Sequence, residues 1–198
     1  MKGIRWATRQ GAHIISCSWG FMKPQQELCN AIKEASRKGI LIFASASNAG
    51  RNTKGLPYPA RAHGVCAIGA SDGYGEPARF SNPRAKFMFP GTAITSSYPR
   101  YLSGDSNTKK DLSGCSMACA IAAGTACRIL EFATICSTNA AKLKDRLDSE
   151  NIKETFTRLA RDKYVIPWEA HIPLEEEDPA AWLRGRFLLS SYVARHQG

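Results

Sequence analysis

The chain has 198 residues, 43% of them hydrophobic, and a formal net charge of +10. That is enough apolar material to bury one core, so disorder is not expected, and no run approaches the ~20 apolar residues of a membrane-crossing helix. The basic residues are dispersed, with no aromatics interleaved among them, which points to a solvated surface and no nucleic-acid partner.

In chain order, residues 4–10 read as a helix end closed by Gly11, and the β-prone run 13–19 follows. Residues 25–38 then place Leu28, Ile32 and Ala35 on one helical face, Gly39 ends that helix, and the apolar run 40–44 reads as a buried strand. Residues 65–70 supply another strand, and 71–75 form a turn cluster. This alternation predicts an α/β fold with a parallel sheet flanked by helices. Long Gly, Pro, Asn and Ser segments at 47–60 and 98–111 read as loops at strand ends, where ligands gather in such sheets. Residues 117–132 form a helix crowded with Ala, Gly and Cys, expected to be central and buried.

After about residue 137 the composition changes. Residues 140–146 and 150–160 are amphipathic, 164–168 are short and apolar, and Asp178-Pro179 starts a last helical pattern beyond an acidic run. The expected organisation is a main domain over 1–137, a helical part over 138–168 packing on it, and an appendage over 169–198. The seven cysteines are an odd number without Cys-x-x-Cys pairs and lie mostly in apolar runs, so they read as reduced core residues. Cys115 and Cys119 are one helical turn apart, but nothing completes a four-ligand set, so neither a metal nor a cofactor is expected. The first residues lead into a polar amphipathic run and not a signal-peptide core. Reduced cysteines lean towards an intracellular setting; localisation stays open.

The segment Ser113-Gly114-Cys115-Ser116-Met117-Ala118 places a serine where a helix begins. There its hydroxyl lies outside the helical ladder, and unpaired backbone N–H groups can face an oxyanion. Serine is also a routine N-cap, so this segment alone does not specify chemistry. A Gly-x-Ser-x-Gly elbow fits badly, because Ala118 holds the second glycine's place and the polar run 107–111 precedes the serine.

Ser116 does not stand alone. Residues 11–20 (Gly-Ala-His-Ile-Ile-Ser-Cys-Ser-Trp-Gly), 44–50 (Ala-Ser-Ala-Ser-Asn-Ala-Gly), Tyr58-Pro59-Ala60, 65–72 and 113–118 occur in that order. In this the chain resembles the subtilisin-like serine peptidases, the subtilases, over roughly residues 3–135. The resemblance implies peptide-bond hydrolysis through an acyl-enzyme on Ser116, with Asn48 in the oxyanion hole. Ser18, Trp19 and Gly20 would pair with an extended peptide or protein substrate, and Ala46 and Ser47 would line the opposite wall of the primary specificity pocket. Tyr58-Pro59 resembles a position where the family's peptide bond is cis.

Cys115 stands where the family has Thr, Cys119-Ala120 where it has Thr-Pro, and His13 where an acidic residue is usual. The family's triad Asp and His belong to blocks that would precede Met1, so the chain reads as the C-terminal part of a catalytic domain, incomplete at its N-terminus. His13, His63, His171 and His196 each suit a surface position better than a general base. Two functions are therefore expected to compete: a serine endopeptidase, and an inactive pseudoprotease that binds peptides. An exposed sheet edge and a need for a partner or further N-terminal segment go with this reading.

Overall fold

Two glycines in the left-handed region, Gly11 at φ 72° and Gly39 at φ 76°, stop the first two helices, and each helix hands the chain to a strand. The computed structural model describes residues 1–52, 55–103, 108–135 and 149–166. In order these form α1 (Lys2–Arg9), β1 (Ile14–Cys17), α2 (Gln26–Arg37), β2 (Leu41–Ser45), β3 (Val65–Ser71), β4 (Phe87–Pro90) and β5 (Ile94–Ser97). They continue through α3 (Arg100–Ser103), β6 (Lys109–Leu112), α4 (Cys115–Ile135), α5 (Ser149–Leu159), β7 (Ala160–Arg161) and β8 (Tyr164–Val165).

The main sheet runs β1-β2-β3-β4-β8-β7, parallel from β1 through β8 and antiparallel only at the β7–β8 hairpin. Every residue of β2 and β3 is buried, because helices cover both faces; this is why their sequences are continuously apolar and do not alternate. Ile42, Ala44 and Ala67 point to the α1–α2 side with Ile4, Leu28 and Ile32. Leu41, Phe43 and Ile68 point the other way, onto α4 and α5. The expected α/β class with a parallel sheet between helices is the observed fold.

Ala118, Ala122 and Ala126 recur every four residues along α4 and are fully buried, so that small-residue face lets the helix lie close across the sheet. The expectation of a wholly buried helix needs correction. Ala120, Gly124, Cys127 and Arg128 are exposed, so α4 is buried on one side only. The cysteines divide likewise: Cys17, Cys66, Cys115 and Cys119 are buried, but Cys29 is only half-buried and Cys127 faces solvent.

Three elements differ from the sequence reading. Residues 98–111, read as loop, include α3 and lead into β6, which pairs antiparallel with β5 as an exposed ribbon. Its residues, such as Thr95, Ser96, Lys109 and Lys110, bury no face, so no alternation betrays it. The short run Phe87–Pro90 is a central strand. Beyond α5 the chain is not purely helical, since β7 and β8 extend the main sheet past β4. The expected boundary at residue 137, the amphipathic stretch 140–146 and the appendage 169–198 lie outside the described residues.

Burial leaves a chemical signature on the thiols. Desolvation, with the neighbouring Cys119 adding to it, pushes the Cys17 thiol from 9.0 up to about 12. The folded state therefore holds this proton more tightly than the unfolded chain does. Its contribution is complete below pH 9 and is lost as pH rises through 12. The thermal midpoint is expected to fall over that alkaline window, and to fall less steeply in Cys17→Ala. An unchanged slope in that variant would contradict the linkage.

Candidate active site

The parallel strands deliver their carboxyl ends to one edge of the sheet. β1 ends into Ser18, β2 into Ala46, Ser47 and Asn48, and the loop after β4 passes Gly91. Gly91 has no room for a side chain: a Cβ there would lie 2.6 Å from the Ala70 Cβ and 3.1 Å from that of Ala118. Its carbonyl accepts the Gly114 N–H at 2.8 Å, and the Ser113 hydroxyl accepts the Ala93 N–H at 2.9 Å. These contacts fix where α4 begins.

Asn48 reaches across to that helix start. Its Oδ1 accepts the Cys115 N–H at 2.8 Å, a contact that only the amide oxygen can make, and among the described residues the Nδ2 donors have no partner. Gly114 gives it room, since a Cβ at that position would sit a tight 3.1 Å from Nδ2. Cys115 adds a second tie, its thiol donating to the Ser47 carbonyl at 3.2 Å. Burial raises the Cys115 thiol above its ordinary value, against a hydrogen bond with Ser81 that lowers it, so it acts as a neutral donor. Ser47 itself has φ 95°, a sparsely populated conformation for a non-glycine residue, held at the turn into Asn48.

Ser116 is the second residue of α4 and is half-buried. Its Oγ lies 3.5 Å from the Ser18 carbonyl, too long for a strong O–H···O bond, so the hydroxyl is not tied up. In return the Ser18 hydroxyl donates to the Ser116 carbonyl at 3.3 Å, which joins the end of β1 to the first turn of α4. Among the described residues, the Ser116 N–H has no partner. The helix N-terminus thus offers this free N–H beside the Asn48 amide.

Ser18, Trp19 and Gly20 form an exposed edge, closed below by the bridge in which Phe21 and Tyr58 exchange backbone hydrogen bonds at 2.8 Å each. Gly20 is needed at this crossing, because a Cβ would meet the Pro57 Cβ at 2.8 Å. Ala46 is fully buried and pinned through its N–H to the Ile68 carbonyl at 2.8 Å. The Tyr58–Pro59 bond is cis. All seven residues singled out from the sequence thus surround one end of the sheet.

The two described histidines do not join them. His13 directly precedes β1 and His63 sits two residues before β3, so both lie at the amino ends of strands. Strands of four residues in β1 and seven in β3 separate the two ends by roughly 13 and 23 Å. His171 and His196 are outside the described residues. Several supporting groups were not legible in advance: Cys115 as anchor of both Asn48 and Ser47, Gly91 as the close-approach point, and buried Ser81, which accepts the Ala70 N–H at 2.9 Å. The glycine after Phe-Pro was the one available sequence signal.

Residues 1–165 match the sequence profile of the subtilase family. The chain belongs to that family. Subtilisin DY of Bacillus licheniformis is 36% identical over 165 residues, which is 79% of this chain and 56% of that protein. The thermostable alkaline protease of Halalkalibacterium halodurans is 39% identical over 129 residues, 63% of this chain and 33% of its own length. The self-cleaved protease domain of PatA superposes with a TM-score of 0.63 at 28% identity, covering 81% of this chain and 58% of that one. This subtilase chain therefore spans about half the length, or less, of the curated relatives it matches. The relationship it shows is to the subtilase family of serine proteases. No described helix is long and apolar enough to cross a membrane.

Proposed function

We propose that the chain is a serine-type endopeptidase homologue in which Ser116 is the nucleophile and Asn48 builds the oxyanion hole. The observation that carries this reading is the Asn48–Cys115 hydrogen bond of 2.8 Å, which engages Oδ1 at the helix start and leaves Nδ2 as the donor of that amide, one residue from the unpartnered Ser116 N–H. An extended peptide pairs along Ser18, Trp19 and Gly20 and sets a carbonyl carbon against Ser116 Oγ, with a side chain between that edge and Ala46–Ser47. Attack forms the Oγ–C bond and moves the carbonyl electrons onto oxygen, where the two N–H donors stabilise the charge. Collapse of that intermediate breaks the C–N bond, the amine leaves with a proton, and water then hydrolyses the ester.

The Ser116 proton must go to a general base, and neither His13 nor His63 is in reach. Turnover therefore depends on a base from outside the described residues. The same observation favours a second reading, a pseudoprotease that keeps the cleft and binds peptides without cutting them. A fluorophosphonate probe on the full chain separates the two. Labelling that disappears in Ser116→Ala is the result expected of the peptidase; peptide binding without labelling would establish the inert module.

A further inference from the structure

We infer that the cleft selects acidic peptides, with Arg61 receiving a substrate carboxylate next to a large apolar side chain seated on Trp19 and Phe21; this rests on the reading of Ser18–Gly20 as the substrate-pairing edge. Trp19 and Phe21 are two residues apart, their ring centroids are 5.8 Å apart, and they remain 41% and 45% exposed. Such large rings are normally covered, and here they continue the edge along which the peptide would lie. The mutual 2.8 Å backbone bonds between Phe21 and Tyr58 bring Tyr58 alongside. The Arg61 guanidinium lies 4.9 Å from the Tyr58 ring centroid and donates to its hydroxyl at 3.5 Å.

This stacking holds the guanidinium in place while its remaining N–H groups stay available, the geometry in which Arg receives a carboxylate in two parallel hydrogen bonds. Arg61 is exposed, and among the described residues no carboxylate pairs with it. The segments that form the cleft walls carry cations and no acid: Lys23 in residues 11–26, and Arg51 and Arg61 in residues 44–61, with Glu27 and Asp72 the first acids beyond them. Both cleft walls come from these two segments. The nearest preceding carboxylate in sequence to Ser116, Asp111, is engaged by the Thr95 hydroxyl at 2.5 Å. A glutamate in the peptide therefore meets attraction without a competing anion on either wall, and a lysine meets repulsion. In an extended peptide, side chains alternate in direction, so the apolar residue and the acid are adjacent or next-but-one in the ligand.

The test is fluorescence polarisation with the full chain carrying Ser116→Ala, so that nothing is consumed. The probes are labelled, N-acetylated octapeptides with a central Phe-Glu, Phe-Gln or Phe-Lys pair. The Glu peptide is expected to bind about tenfold tighter than the Gln peptide, a preference that weakens at high salt and vanishes in Arg61→Gln. Arg61→Lys should keep part of it, since the charge remains and the planar fork is lost. Equal affinity for the Glu and Gln peptides would overturn the inference and leave the substrate edge standing. A Glu preference that survives in Arg61→Gln would overturn the assignment to Arg61. Failure of all three peptides to bind would overturn the reading of Ser18–Gly20 itself, and the inference with it.

Discussion

Asn48→Asp is expected to lower the rate at which Ser116 is acylated by about 10²–10³-fold, with the fold intact. The two atoms of the Asn48 side-chain amide have separate tasks. Oδ1 holds the Cys115 N–H at 2.8 Å, and an aspartate oxygen at the same place accepts that bond equally well. A negative charge at the first turn of α4 is also favourable to the helix. In the proposed mechanism Nδ2 is the group that meets the oxyanion, and the substitution replaces this donor with a second acceptor carrying like charge. The two effects are thus separable in one variant. Thermal unfolding should show a native-like midpoint while the rate of fluorophosphonate labelling collapses. Labelling at the parental rate would remove Asn48 from the oxyanion hole.

The largest effect on stability is expected in the core beneath α4, at Phe156 of α5. Its ring is fully buried and meets Phe43, Phe87 and Phe89 with centroid separations of 6.0, 5.5 and 5.1 Å. Two of these are edge-on contacts, the arrangement that adds to simple burial. Phe156→Ala leaves a cavity bounded by β2 and β4, which are themselves held by pairing to β3 and cannot collapse into it. The expected loss is about 3–5 kcal/mol, measured by denaturant unfolding. A loss under about 1 kcal/mol would mean that α5 is not part of the cooperative core.

Legibility followed burial. Helices and strands covered on a defined face announce themselves by period, so α1, α2, β2 and β3 were placed within a residue or two. β5 and β6 were missed because their exposed polar residues carry no such imprint. β4 was missed because Phe-Met-Phe-Pro is too short to distinguish from a loop and ends in a residue that breaks strands. The site divides along the same line. Ser116 and Asn48 stood out through the ordered set of blocks, and their neighbourhood at one end of the sheet follows from strand direction. Cys115 gave no warning of its role, since the work is done by its backbone N–H, which every residue but proline has. Arg61 likewise looked like one basic residue among many until its position over Tyr58 was visible.

The bond between Asn48 and Cys115 joins positions 67 apart in the sequence, and that between Ser18 and Ser116 joins positions 98 apart. Neither can exist until loops of that length have closed and the parallel strands between them have paired, which are slow, late events in folding. During synthesis the ribosome releases Ser18 and Asn48 long before Ser116, so a growing chain holds the walls of a cleft without the helix start that completes it. Completion of the cleft is thereby tied to completion of the fold.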